Sequence, residues 1–87
     1  MSVYVDALAD RGWELGPSAH LFADTEEELY AFAARLGCRR AWFQRSRRGV
    51  PHFDLTARRR ERAVALGAVE LDRRGVVELI RRLRSCS

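Results

Sequence analysis

Only two histidines occur in the 87 residues, and each stands shortly before an aspartate. His20 lies in "HLFAD", four positions ahead of Asp24, and His52 lies in "PHFD", two ahead of Asp54. An imidazole beside a carboxylate supports two kinds of chemistry. The pair can ligate a divalent metal ion, or the carboxylate can orient the ring as a general base. In an extended segment, residues two apart share a face, so His52 and Asp54 would project together. The same alternation permits a plainer outcome, with Phe53 and Leu55 in the core and the polar pair in solvent at the turn into a helix.

Two further acids extend the set. Asp6 follows the apolar run "VYV" with no helix nearby to cap, whereas Asp72 precedes a helical pattern and can serve as its N-cap. In parallel α/β sheets ligands gather at the carboxyl ends of strands, where Asp6, Asp54 and Asp72 could hold an ion as in small nucleases. The site expected is His20, His52 and Asp54 as metal ligands with Asp6 assisting, these four being the candidate catalytic residues. If the two segments are neighbouring strands, Asp24 could join them. Both histidines stand where a strand-like run meets a helix, a place where backbone donors and the helix dipole favour anions. They are therefore expected within ~10 Å of each other at one edge of the sheet, a span that one ion or phosphate with its shell could bridge.

The arginines offer a second chemistry. Nine arginines and two acids lie between Arg39 and Arg62. Arg39, Arg40, Arg45, Arg47, Arg48 and Arg58, interleaved with Trp42, form a candidate surface for phosphate or nucleic acid with a stacking ring. The competing arrangement buries Trp42 and Phe43 as a strand pair and leaves the arginines as a solvated rim. All sixteen basic residues are arginine, with no lysine or asparagine and one isoleucine. That usage fits a GC-rich coding sequence, so the net charge of +4 says little by itself. Its distribution says more. Residues 1–37 hold two arginines against seven acids, and residues 38–87 hold fourteen against five, giving −5 and +9. Such a chain can bind a polyanion at one end, or spend the contrast on internal salt bridges or self-association.

The elements that must position these groups follow from caps and periodicity. Thr25 with Glu28 forms a capping box ahead of Leu29, Phe32, Ala33 and Leu36 at helical spacing, and Gly37 can end that helix. The spacing predicts helices over 25–37, 56–66 and 73–84, the second capped by Thr56 and the third by Asp72. Val76, Leu79, Ile80 and Leu83 line one face of the third. Strands are expected at 3–7, 41–44 and 68–71, with "HLFAD" a further short strand, "RSRRG" an exposed turn and residues 9–19 a loop. Alternating strands and helices argue for a small layered α/β domain spanning 1–87, with a short, mostly parallel sheet packed against three helices.

No P-loop, dinucleotide fingerprint, nucleophile elbow or zinc-finger spacing is present. Cys38 and Cys86 are in no metal-like spacing and are expected reduced. No apolar run approaches the ~20 residues of a membrane span. The first residues lack the basic segment of a signal peptide, so a cytoplasmic location without membrane partners is expected.

The succession "VYVD", "HLFADTEEELYAFAARLG", "WFQ", "PHFDLT" and "ALGAVEL" resembles a family of small bacterial and phage proteins, domain-of-unknown-function family 4031. The resemblance covers nearly the whole chain. Members show an aromatic strand ending in Asp, a His followed by Ala-Asp, a Trp-Phe-Gln and a Pro-His-Tyr-Asp. Those correspond here to Asp6, to His20 and Asp24, to Trp42 through Gln44, and to Pro51 through Asp54, with Phe53 in place of the tyrosine. The resemblance implies no activity, but it implies that His20, His52 and Asp54 are family features. The function expected is binding of, or action on, a phosphorylated ligand such as nucleic acid, in the manner of a metal-dependent phosphoesterase or nuclease. Arg39, Arg40 and Arg58 would then neutralise phosphate. The alternatives are a nucleic-acid-binding module without chemistry and a domain for protein interaction or homo-oligomerisation.

Overall fold

Alternation in two six-residue segments determines the architecture. Ser18–Ala23 and Pro51–Thr56 each send every second side chain into one core and the intervening ones to the opposite face. The computed structural model describes residues 2–85. Its elements in chain order are β1 (Val3–Val5), β2 (Ser18–Ala23), α1 (Glu26–Arg35), a 3-10 turn (Arg40–Trp42), β3 (Gln44–Arg45), β4 (Pro51–Thr56), α2 (Ala57–Ala65), β5 (Val69–Glu70) and α3 (Arg73–Ser85).

The five strands form a single sheet in the order β3-β4-β2-β1-β5. It is mostly antiparallel, which corrects the expectation of a mostly parallel sheet. β1 with β2, β2 with β4 and β3 with β4 all run antiparallel, and only β1 with β5 is parallel. The physical reason lies in where the helical crossovers land. β2–α1–β3 and β4–α2–β5 do join parallel strands, but β4 comes between the first pair, and β2 and β1 between the second. Two of the antiparallel pairs, β1 with β2 and β3 with β4, are joined directly by loops, and β2 meets β4 only after the chain has passed through α1 and β3. The connection from β1 to β2 contains no helix, and β3 turns into β4 through Ser46–Gly49, where the Gly49 amide donates to the Ser46 carbonyl at 2.8 Å.

One sheet face packs α1 and α2. Val5, Leu21, Phe53 and Leu55 meet Leu29, Phe32, Ala33 and Leu36 from α1 and Ala63 from α2. The opposite face carries Tyr4 and Phe22, which with Val50 receive Val76, Leu79, Ile80 and Leu83 of α3. Three helices pack on the sheet, as expected, with α1 and α2 on one side and α3 alone on the other. Alternation puts His20, His52 and Asp54 on that second face.

The helices begin where the sequence places them. Thr25 Oγ1 accepts from the Glu28 amide at 3.2 Å and Thr56 Oγ1 from the Arg59 amide at 3.2 Å, while Asp72 Oδ1 accepts from the Gly75 amide at 2.8 Å. Glu28 departs from the reciprocal box, its carboxylate accepting from the Thr25 hydroxyl at 3.0 Å. Gly37 takes φ +79°, the left-handed value that a C-terminal cap requires.

The strand expected over 41–44 is not there. Arg40–Trp42 is a 3-10 turn closed by the Trp42 amide on the Arg39 carbonyl at 2.9 Å, and only Gln44 and Arg45 pair with β4. The apolar content of this stretch serves packing of a different kind. Phe43 stacks on Tyr30 with ring centroids 4.8 Å apart and meets Phe53 edge-on at 5.9 Å. Trp42 stays exposed, with the Arg59 guanidinium 5.2 Å from its ring. The strand expected over 68–71 is confined to Val69–Glu70. Cys38 is a free, buried thiol whose pKa burial pushes up, only partly offset by the Arg59 charge. Cys86 lies outside the described residues. No helix among the described residues is long and apolar enough to cross a membrane.

Candidate metal centre

Register brings the polar residues together. β2 and β4 pair with His20 opposite Asp54 and Leu21 opposite Phe53, while β3 sets Gln44 opposite His52. The two imidazoles meet edge to face with ring centroids 5.2 Å apart, well inside the span expected. The location differs from the expectation. His20 stands inside β2 and His52 is the second residue of β4, so the cluster lies on a sheet face and not at a strand–helix junction. No helix dipole points at it through those residues. Cross-strand pairing alone assembles it.

Each ring has one nitrogen committed elsewhere. Asp6 accepts from the His20 backbone amide at 2.6 Å and from His20 Nδ1 at 2.7 Å. Burial would raise the Asp6 carboxyl, but those hydrogen bonds, with the His20 and Arg11 charges, hold it below the usual carboxylate value. An ionised Asp6 can only accept, so Nδ1 of His20 carries the proton. His52 Nδ1 donates to the Val50 carbonyl at 3.0 Å. In the neutral rings both Nε2 atoms are then left as lone-pair ligands.

Both Nε2 atoms face one carboxylate oxygen. Asp54 Oδ1 lies 3.7 Å from His20 Nε2 and 3.9 Å from His52 Nε2, while Oδ2 accepts from the Gln44 side chain at 2.9 Å. One ligand atom from each of His20, His52 and Asp54 falls within 4.8 Å of the others. Around a common ion with bonds of about 2.1 Å, such atoms would stand roughly 3–3.5 Å apart, so the three would have to draw slightly closer to hold it. Two imidazoles and one carboxylate suit a borderline divalent ion such as zinc, manganese, iron or cobalt. Every ligand is braced from behind: His20 by Asp6, His52 by a main-chain carbonyl, Asp54 by Gln44.

The cluster opens into a shallow pocket of about 400 Å³ whose rim includes Arg11, Trp13 and Gln44. Arg11 donates through Nη1 to the Ser18 carbonyl and to Ser18 Oγ at 3.2 Å, with Nη2 3.7 Å from Asp6 Oδ2. It is the cation at this pocket, and it lies in the loop that composition alone leaves featureless.

The other expected residues sit elsewhere. Asp24 accepts from the Tyr4 hydroxyl and the Ser2 amide, both at 2.8 Å, and pairs with Arg82 at 2.9 Å, tying α3 to β1. Asp72 caps α3 and is no part of the cluster. Arg40 lies over the Tyr30 ring at 4.1 Å and Arg45 pairs with Glu26 at 2.9 Å. Arg48 lines a cleft beside Gly49 and Pro51, Arg58 one along α2, and Arg39 and Arg47 are exposed. None of these six lines the His/Asp pocket. Trp42 comes nearest, lining a second groove of about 440 Å³ that shares Trp13, Gln44 and Asp54 with it. Part of the charge contrast between the halves is taken up in the pairs of Arg45 with Glu26 and Arg82 with Asp24.

The family model described as "Protein of unknown function (DUF4031)" matches residues 3–83. The chain belongs to that family. No curated protein and no solved structure matches it. The segments by which the chain resembles this family contribute Asp6, His20, Gln44, His52 and Asp54, the candidate ligand set and two of its hydrogen-bonding partners. Gln44 was legible only as part of "WFQ", and Arg11 and Trp13 carry no periodicity or motif that would single them out.

Proposed function

We propose that the protein holds one divalent metal ion on His20 Nε2, His52 Nε2 and Asp54 Oδ1, and acts through it as a phosphoesterase on a phosphorylated ligand such as nucleic acid. The observation that carries this reading is the convergence of His20 Nε2, His52 Nε2 and Asp54 Oδ1 within 4.8 Å, with both ring Nδ1 atoms engaged elsewhere. A metal ion shared by the three would hold them together when the rings are neutral, where hydrogen bonding among three acceptors would not. An ion held there would polarise a phosphoryl oxygen and make water a nucleophile near neutral pH. Three protein ligands and a pocket open on one side leave room for substrate. Asp6 positions His20, Gln44 positions Asp54, and the guanidinium of Arg11, 35% exposed, supplies positive charge at the rim where a phosphate would arrive. The charge role first expected of Arg39, Arg40 and Arg58 passes to Arg11 in this reading.

The test is a titration of chelator-stripped protein with cobalt and zinc ions, followed by cobalt absorption and calorimetry, then an assay on bis(p-nitrophenyl) phosphate. Stoichiometric binding lost in His20→Ala and His52→Ala, with hydrolysis lost alongside, is the expected result. Binding without hydrolysis would remove the enzymatic half of the proposal. No binding of either ion would remove the whole.

A further inference from the structure

The chain has two tryptophans, and neither is in the core. Trp13 is 37% exposed and Trp42 41% exposed, a costly placement for the largest apolar side chain unless something covers it. They come from separate segments, the loop before β2 and the 3-10 turn before β3, yet both line the groove of about 440 Å³. Leu15, Gln44, Asp54 and Arg59 complete most of its wall. Trp13, Gln44 and Asp54 also line the pocket of the candidate metal ligands, so the two hollows adjoin through these side chains and together make a trough with the cluster toward one end. The volume lies in the ordinary range for a small-ligand pocket, about 300–1,000 Å³. Arg59 stands 5.2 Å from the Trp42 ring and donates through Nε to the Leu36 carbonyl at 3.2 Å, which fixes the guanidinium beside the ring.

We infer that this trough receives an unpaired nucleotide of a single-stranded nucleic acid, its base against Trp13 and Trp42 and its phosphodiester directed at the His20–His52–Asp54 cluster. The inference rests on the phosphoesterase reading for the direction of the phosphate, but not for the binding of the base. Indole rings recognise any base through its π face, and in a duplex that face is already stacked. Gln44 offers an amide at the base edge, and Arg59 and Arg11 supply positive charge at the two ends of the trough. An aliphatic ligand would use the rings but not the two guanidinium groups.

The experiment is a titration with an octathymidylate, read by quenching of tryptophan fluorescence, alongside a blunt duplex of similar length, inorganic phosphate and a proline-rich decapeptide. The single strand should bind and quench, and the others should be at least ten-fold weaker. Trp13→Ala and Trp42→Ala should each weaken binding about five-fold or more, and Trp42→Phe should recover most of it. With two arginines engaged, log affinity should fall with log salt at a slope of roughly −1.4. Duplex or decapeptide binding as tight as the single strand, or no effect of either tryptophan, would overturn the inference. Chelator-stripped wild-type protein separates the two claims: without metal it should still bind the oligonucleotide through the tryptophans. Loss of metal with retained oligonucleotide binding touches only the ligand set, whereas retained metal without oligonucleotide binding defeats only the trough.

Discussion

The Asp6 carboxylate accepts two hydrogen bonds from one residue, the backbone amide of His20 at 2.6 Å and its ring Nδ1 at 2.7 Å. One acid thus fixes both the strand position of His20 and the nitrogen on which its proton sits. Asparagine cannot repeat this, because it has a single acceptor oxygen for two donors. Asp6→Asn is therefore expected to weaken zinc or cobalt binding by about 10- to 100-fold without abolishing it, measured by competition with a chromogenic chelator. Unchanged affinity would show that Asp6 serves only the backbone.

The same carboxylate carries an acid-stability prediction. Its native pKa is lowered, chiefly by His20 and against the effect of burial. Its stabilising contribution is then complete above the unfolded value of about 3.9 and is lost as pH falls through the lower native value. Denaturant unfolding between pH 7 and pH 2 should show the parent protein losing its advantage over Asp6→Asn only at the acid end, where the two stabilities converge. A gap that persists at pH 2 would argue against it.

Neighbours on β4 should separate stability from binding. Phe53 is 1% exposed in the core, and Phe53→Ala should cost about 3–5 kcal/mol of unfolding free energy. His52→Ala should cost only about 1 kcal/mol, because the Val50 carbonyl it leaves still accepts from the Ser46 amide at 3.0 Å. Metal binding should disappear in His52→Ala all the same. A His52→Ala protein that unfolds like Phe53→Ala would make the histidine a core residue.

What the sequence made legible depended on whether the signal was local. Thr25, Thr56 and Asp72 cap the helices they precede, because a cap is decided within four residues. A meeting of the two histidines was expected from strand–helix junctions, but they meet inside neighbouring strands. Which strands become neighbours depends on where crossovers land, and nothing near His20 records that α1 carries the chain past β4 to β3. "AWFQ" misled for a related reason. Its aromatic residues satisfy strand preference, yet Phe43 packs singly against Tyr30 and Phe53 while Trp42 stays outside. The arginines were legible as charge but not as geometry, since partners such as Glu26 for Arg45 are distant in the chain.

Pro51–Thr56 encodes core and cluster in alternating positions, Phe53 and Leu55 on one side and His52 and Asp54 on the other. A one-residue slip of β4 against β2 would exchange the two sets, sending the acid and the imidazole inward and the phenyl ring outward. The strand therefore behaves like a reading frame. Single insertions or deletions within it should be far less tolerated than substitutions, and any chain that still captures a metal ion must have closed this hairpin-free pairing in phase. Metal uptake during refolding would then serve as a clock for that pairing, independent of how far the helices have formed.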